Sequence, residues 1–181
     1  MDAAWGDITD TAIIVAVPAA EPVVSGHRLV LDPAAELGVP AHVTVLYPFV
    51  APTALNEEVI AQVGRVASRL PAVQADFSRI GWFDTQVVYL VPEPDDWFRG
   101  ATAAMHDAFP QCPPYRGIYE DVVPHLTLGD GGDFDVMRRA ADEVQGGLPV
   151  ADRIDRLLLI GGSGVPGSWR TLRELPLAVA P

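Results

Sequence analysis

Apolar positions along this chain change their spacing several times, and each change marks an element. Thr11-Ala12-Ile13-Ile14-Val15-Ala16-Val17 is a continuous apolar run closed by Pro18, which predicts a central strand buried on both faces. From Glu21 to Pro40 the chain is rich in Pro and Gly with no clear period, apart from a helical turn at Asp32-Pro33-Ala34-Ala35-Glu36-Leu37, capped by Asp32 with Pro33 in the first position. His42-Val43-Thr44-Val45 then alternates. Side chains two apart on a strand share a face, so Val43 and Val45 turn to the core while His42 and Thr44 point the other way. Next, Leu55, Val59, Ile60, Val63, Val66, Ala67 and Leu70 fall on one helical face opposite Glu57, Glu58, Gln62, Arg65 and Arg69, with Thr53 or Asn56 as the cap. Two strands, Val73 to Trp82 and Gln86 to Val91, follow as a hairpin turning near Asp84.

The second half repeats this grammar. A helix is expected from Asp95 to Phe109, then a loop through Cys112-Pro113-Pro114, then a strand from Val122 to Gly129 containing Pro124-His125-Leu126-Thr127-Leu128. There His125 and Thr127 share one face, and Leu126 and Leu128 turn to the core. A helix from Asp133 to Gln145 places Phe134, Met137, Ala141 and Val144 together, with Asp133 as its cap. Strands at Ile154 to Ile160 and Trp169 to Leu177 close the chain. The Gly161-Gly162-Ser163-Gly164 link between them reads as a hairpin connection, because it carries no lysine and leads into a strand where a phosphate loop would lead into a helix. Strand-rich halves with outward helices give an α+β fold, and 181 residues suit one domain, 1–181, of two packed lobes.

Composition narrows the chemistry. No stretch reaches the roughly 18 consecutive apolar residues of a membrane span, and Met1-Asp2-Ala3-Ala4-Trp5-Gly6-Asp7 lacks the basic and apolar regions of a secretory leader. A cytoplasmic protein, expected to be monomeric and free of membrane partners, follows. The net charge of −12 repels a long nucleic acid, so a nucleotide ligand should be small or terminal. Every one of the 12 basic residues is arginine, which removes lysine from the candidate bases, Schiff-base formers and phosphate-loop ligands. Cys112 stands alone and can form neither an internal disulfide nor a cysteine zinc site. Asp130, Asp133 and Asp135 miss the calcium-loop spacing.

The repeated His-x-Thr pair carries the functional signal, since two of only four histidines occupy matching strands in the two halves. His27 and His106 have no threonine two positions on. An imidazole exchanges protons near neutral pH, so two of them can serve opposite ends of a phosphodiester displacement. The threonine hydroxyls can donate to the non-bridging phosphate oxygens. Tyr47 and Trp169 are candidates to support a nucleobase, and Arg116, Arg170 and Arg173 are candidate phosphate clamps.

His42-Val43-Thr44-Val45 followed by Tyr47-Pro48-Phe49, together with Pro124-His125-Leu126-Thr127-Leu128, resembles the signatures of the two-histidine phosphoesterases, which include bacterial 2'-5' RNA ligases, also called RNA 2',3'-cyclic phosphodiesterases. The resemblance implies a bilobal fold in which two antiparallel sheets, related by a pseudo-twofold axis, line a central cleft with helices outside. It also implies metal-independent and cofactor-free hydrolysis of a 2',3'-cyclic nucleotide end or related small cyclic phosphate, with possible reverse 2'-5' ligation. His42 and His125 become the acid/base pair, with the assignment open between them, and Thr44 and Thr127 the phosphate ligands. Where several relatives carry a basic residue just after the second motif, this chain has Gly129-Asp130-Gly131-Gly132-Asp133, a poor neighbour for extra phosphate charge. The alternatives are a nucleotide or phosphate sensor that kept the cleft without turnover, and a metallohydrolase. The latter is disfavoured because no third ligand accompanies the two histidines.

Overall fold

The computed structural model describes residues 6–179, so most of the stretch read above for a leader lies outside the described residues. Eight strands form one antiparallel sheet: β1 (Asp10–Ala16), β2 (His42–Leu46), β3 (Val73–Phe83), β4 (Val87–Glu93), β5 (Leu126–Asp130), β6 (Val150–Ile154), β7 (Arg156–Gly162) and β8 (Arg170–Pro176). The helices are α1 (Glu21–Leu31), α2 (Pro33–Glu36), α3 (Glu57–Ala67), α4 (Asp95–Ala108) and α5 (Phe134–Gln145). The α+β class is as the alternation predicted. Among the described residues, no helix is long and apolar enough to cross a membrane.

Strand order is β6-β3-β4-β5-β2-β1-β7-β8, and the duplication is written in it. Strand–helix–strand–helix runs β1-α1-β2-α3 and β4-α4-β5-α5 place the two histidine segments side by side at the middle of the sheet. The two expected sheets are thus halves of one, meeting at a seam where β2 and β5 share a single register pair, Val43 with Leu126. Backbone hydrogen bonding contributes little across such a short ladder. Packing does the joining: α1 lies against β5 and α4 against β2, so a helix from each half covers the other half's histidine strand. Val43, Val45, Leu126 and Leu128 are buried beneath them. Full burial of each such side chain stabilises by roughly 1.5–3 kcal/mol.

Several local expectations are met by side-chain caps. Asn56 accepts from Val59 N at 3.0 Å to start α3, and Asp133 accepts from Val136 N at 3.0 Å to start α5. Asp32 accepts from Ala34 N at 3.0 Å to start α2. Three readings need correction. Residues 21–31, read as irregular, form α1, whose Pro22 falls in the first turn where no backbone donor is required. Its buried residues are only Val24 and Arg28, so it shows no apolar stripe. The C-terminal region holds three strands, not two, because β6 was missed: Val150 and Ile154 are buried, but Ala151 to Arg153 between them carry no alternating signal. Phe134 leaves the buried face of α5, 41% exposed against Trp82, and Ala140 joins Met137, Ala141 and Val144 in its place.

The sheet face opposite the main core carries a second, small cluster of Ala12, Ile14, Val39 and Ile160, with Tyr47 and Trp169 packed on it. Gly162 is required here for a steric reason: a Cβ at that position would collide with the Trp169 ring. The Gly161-Gly162 step therefore serves the β7–β8 hairpin and the packing of Trp169.

Candidate active site

His42 opens β2 and His125 immediately precedes β5, and the two rings are held identically. His42 Nδ1 lies 2.7 Å from the carbonyl of Pro40, and His125 Nδ1 lies 2.7 Å from the carbonyl of Val123. A carbonyl only accepts, so each Nδ1–H donates and each Nε2 keeps its lone pair for chemistry. Thr44 and Thr127, one strand pleat further along, join both histidines in lining a cavity of about 290 Å³. Period-two geometry thus converges all four groups on one space.

The same cavity takes in Tyr47 and Trp169, whose ring centroids are 6.4 Å apart. Trp169 is oriented by donating from Nε1 to the Ser163 carbonyl at 3.1 Å. Arg116 is exposed and lines neither this cavity nor its neighbour. Arg170 is paired with Asp7 at 2.8 Å and Arg173 with Glu57 at 3.1 Å. None of the three proposed clamps is brought to the histidines.

Residues that the sequence reading passed over complete the site. Asp32, which lines the cavity, is buried and paired with Arg28, whose guanidinium donates to Oδ2 from Nε at 3.0 Å and Nη2 at 2.7 Å, and to the Val39 carbonyl at 3.3 Å. Tyr115 reaches between the two half-sites: its hydroxyl shares a hydrogen bond with Thr44, and its ring stacks on His125 at 6.4 Å and 22°. Its backbone is left-handed, with φ 49°, followed by Arg116 at φ 59°. Non-glycine residues there cost on the order of 1 kcal/mol or more each. The Tyr115 N–H donation to the Tyr47 carbonyl, at 2.6 Å, helps to hold the turn. Phe83 and Tyr89 present edges to His125 at 5.1 and 5.5 Å. The only hint of Tyr115 in the sequence was its place in a Pro-Pro-Tyr-Arg-Gly turn.

Electrostatics distinguish the histidines. Burial pushes His42 down to about 4, with Arg28 and His125 adding to the effect, while the Pro40 carbonyl and Asp32 oppose it. Burial also lowers His125, but there the Val123 carbonyl and the carboxylates of Asp130 and Asp32 all favour the protonated ring. Asp130 is itself raised, by burial and by Asp32. Among the described residues, no cluster of three or more His, Cys, Asp or Glu side chains is arranged to hold a metal.

The family model for the 2'-5' RNA ligase superfamily matches residues 16–165, a span that includes both motifs and Tyr115. The chain belongs to the 2'-5' RNA ligase superfamily. Solved structures of like fold include TT0787 of Thermus thermophilus, with TM-score 0.63 and 16% identity over 95% of this chain and 100% of that one. Apo LigT of E. coli gives TM-score 0.60 and 16% identity over 96% and 99%. E. coli LigT complexed with 3'-AMP gives 0.60 and 17% over 94% and 98%. At such identity the likeness is one of fold. No curated protein matches the chain closely enough to count as a relative.

Proposed function

We propose that this superfamily member is a metal-independent phosphodiesterase that opens a 2',3'-cyclic phosphate on a nucleotide or RNA end. The observation that carries the reading is the matched pair of histidines, each with Nδ1 tethered to the carbonyl two residues earlier and each beside a threonine on the same cavity wall. In this scheme one Nε2 accepts a proton from water as its oxygen attacks phosphorus. The other imidazole, protonated, gives its proton to the departing ribose oxygen as the P–O bond breaks. Thr44 and Thr127 donate to the non-bridging oxygens, and the product is a phosphomonoester with a free neighbouring hydroxyl. The surroundings favour His42 as base and His125 as acid: Asp32 favours a proton on both rings, but at His42 Arg28 opposes it, whereas at His125 Asp130 adds to it, as would a bound phosphate monoanion.

With a nucleoside 5'-hydroxyl in place of water as the nucleophile, the same proton transfers open the cyclic phosphate to a 2'-5' diester and free the 3'-hydroxyl. Tyr47 and Trp169 are suited to face the nucleobase. That one crystal structure of LigT holds 3'-AMP supports a ligand of nucleotide size for this fold. The protein acts as a monomer in the cytoplasm under this reading and needs no cofactor.

The test is turnover of 2',3'-cyclic nucleoside monophosphates and short oligonucleotides with cyclic ends, in chelator, by wild type, His42→Ala and His125→Ala. Turnover by wild type and its loss in both variants is expected. Tight binding without product would make the protein a sensor, and activity restored only by zinc would make it a metallohydrolase.

A further inference from the structure

Beside the first cavity lies a second, of about 620 Å³, and Tyr115, His125, Thr127 and Asp130 line both. The phosphate-handling groups of the second motif therefore sit on a shared wall, with room on either side. A cyclic phosphate folds both ester bonds onto one ribose and needs only one of these spaces. A phosphodiester with two separate organic arms would use both.

The second cavity is built for an arm of particular character. Phe83, Tyr115 and Tyr119 supply ring surface, with Val122 and Val123 beside them, a lining suited to a planar base. Its charged groups are the carboxylates of Asp84, Asp121 and Asp130. Asp121 is paired with Arg99 at 2.6 Å. Among the described residues no arginine pairs with Asp84 or Asp130, and no arginine lines either cavity. Arg28 lies nearby but is committed to Asp32. A phosphodiester brings one negative charge, which the threonine hydroxyls and a protonated histidine can meet. A terminal phosphate on the arm would bring nearly two more charges beside Asp84 and Asp130, which have no arginine to offset them.

We propose that the second cavity receives one arm of a two-armed phosphodiester and that Asp130, on the wall common to both cavities, selects an arm bearing no phosphate. The inference rests on the phosphodiesterase reading above and adds to it a subsite and a charge rule. It also gives the acidic Gly129-Asp130-Gly131 segment a function. Asp130 is here a specificity-determining residue: it discriminates between ligands and takes no part in bond making.

The experiment uses dinucleoside phosphates that lack both 2'-hydroxyls and so cannot cyclise: d(ApA), the same molecule phosphorylated at its 3' end, and the same phosphorylated at its 5' end. Each is tested as a competitive inhibitor of 2',3'-cyclic AMP hydrolysis at low ionic strength, with wild type, Asp130→Asn and Asp130→Arg. For wild type, a phosphate on one of the two ends should weaken inhibition roughly tenfold relative to d(ApA). That gap should shrink to within about threefold in Asp130→Asn and invert in Asp130→Arg. Because the readout is a ratio of inhibition constants, a change in turnover caused by the proximity of Asp130 to His125 does not enter it. Equal inhibition by all three ligands in wild type, or a gap unchanged in Asp130→Asn, overturns the proposal. If 2',3'-cyclic AMP is not hydrolysed, the phosphodiesterase reading fails. The same ligand series measured by calorimetry then decides the subsite on its own.

Discussion

The depressed basicity of His42 makes stability depend on pH in a calculable way. Folded, the ring binds a proton only near pH 4, whereas in the unfolded chain it does so near its ordinary 6.5. Above 6.5 the ring is neutral in both states and its contribution is fully present. As pH falls through 6.5 the unfolded chain takes up the proton first, so stability is lost until about pH 4, below which both states are protonated. Over the whole window the difference amounts to about 3 kcal/mol, and between pH 8 and pH 5 to about 2 kcal/mol. The ring is only partly shielded from the cleft, and solvent screening brings the expected loss to about 1–2 kcal/mol. His42→Asn keeps a donor near the Pro40 carbonyl but cannot titrate. Urea unfolding of both proteins at pH 8, 6.5 and 5 should show wild type losing about 1–2 kcal/mol more than the variant between the extremes. His125 is present in both proteins, so its contribution largely cancels. Parallel curves for the two proteins would refute the reasoning.

Three further outcomes are expected. Under the phosphodiesterase reading, Thr44→Val and Thr127→Val should each lower kcat/KM for a 2',3'-cyclic nucleotide, but by less than the roughly 100- to 10,000-fold assigned to an acid/base histidine; steady-state kinetics with all four variants ranks them. Arg28→Leu leaves the Asp32 carboxylate buried without its partner and should destabilise by about 3–5 kcal/mol, whereas Arg28→Leu with Asp32→Asn recovers part of the loss, as read by denaturant melts. Leu126→Ala, at the seam and fully buried, should cost about 2–5 kcal/mol in the same assay.

The parts of this molecule legible in its sequence are those where burial imposes a period. Val43 and Val45, Leu126 and Leu128, and the stripe through Ile60 and Val63 all face the main core, and alternation or helical spacing exposed them. The histidines and threonines could be paired because the same period turns them to the opposite face. What was missed has no period to read. Helix α1 contributes a buried arginine where an apolar residue would have signalled it, β6 is only five residues long, and Tyr115 sits in a strained turn held by contacts from other parts of the chain. The arginine clamps failed for a related reason: nothing local reveals that Arg170 and Arg173 meet Asp7 and Glu57, each more than a hundred residues away in sequence.

The exchange of helices across the seam sets how this protein can move. With α1 seated on β5 and α4 on β2, the halves cannot swing apart like a hinge without sliding buried helices off the strands they cover. The packing that covers β2 and β5 thus also fixes the spacing of the two histidines those segments carry. The turn that carries Tyr115 has no such anchoring helix, and the left-handed backbone at Tyr115 and Arg116 already stores strain there. Under the phosphodiesterase reading, a substrate would be admitted by rearranging that one turn over a floor held in place from both halves.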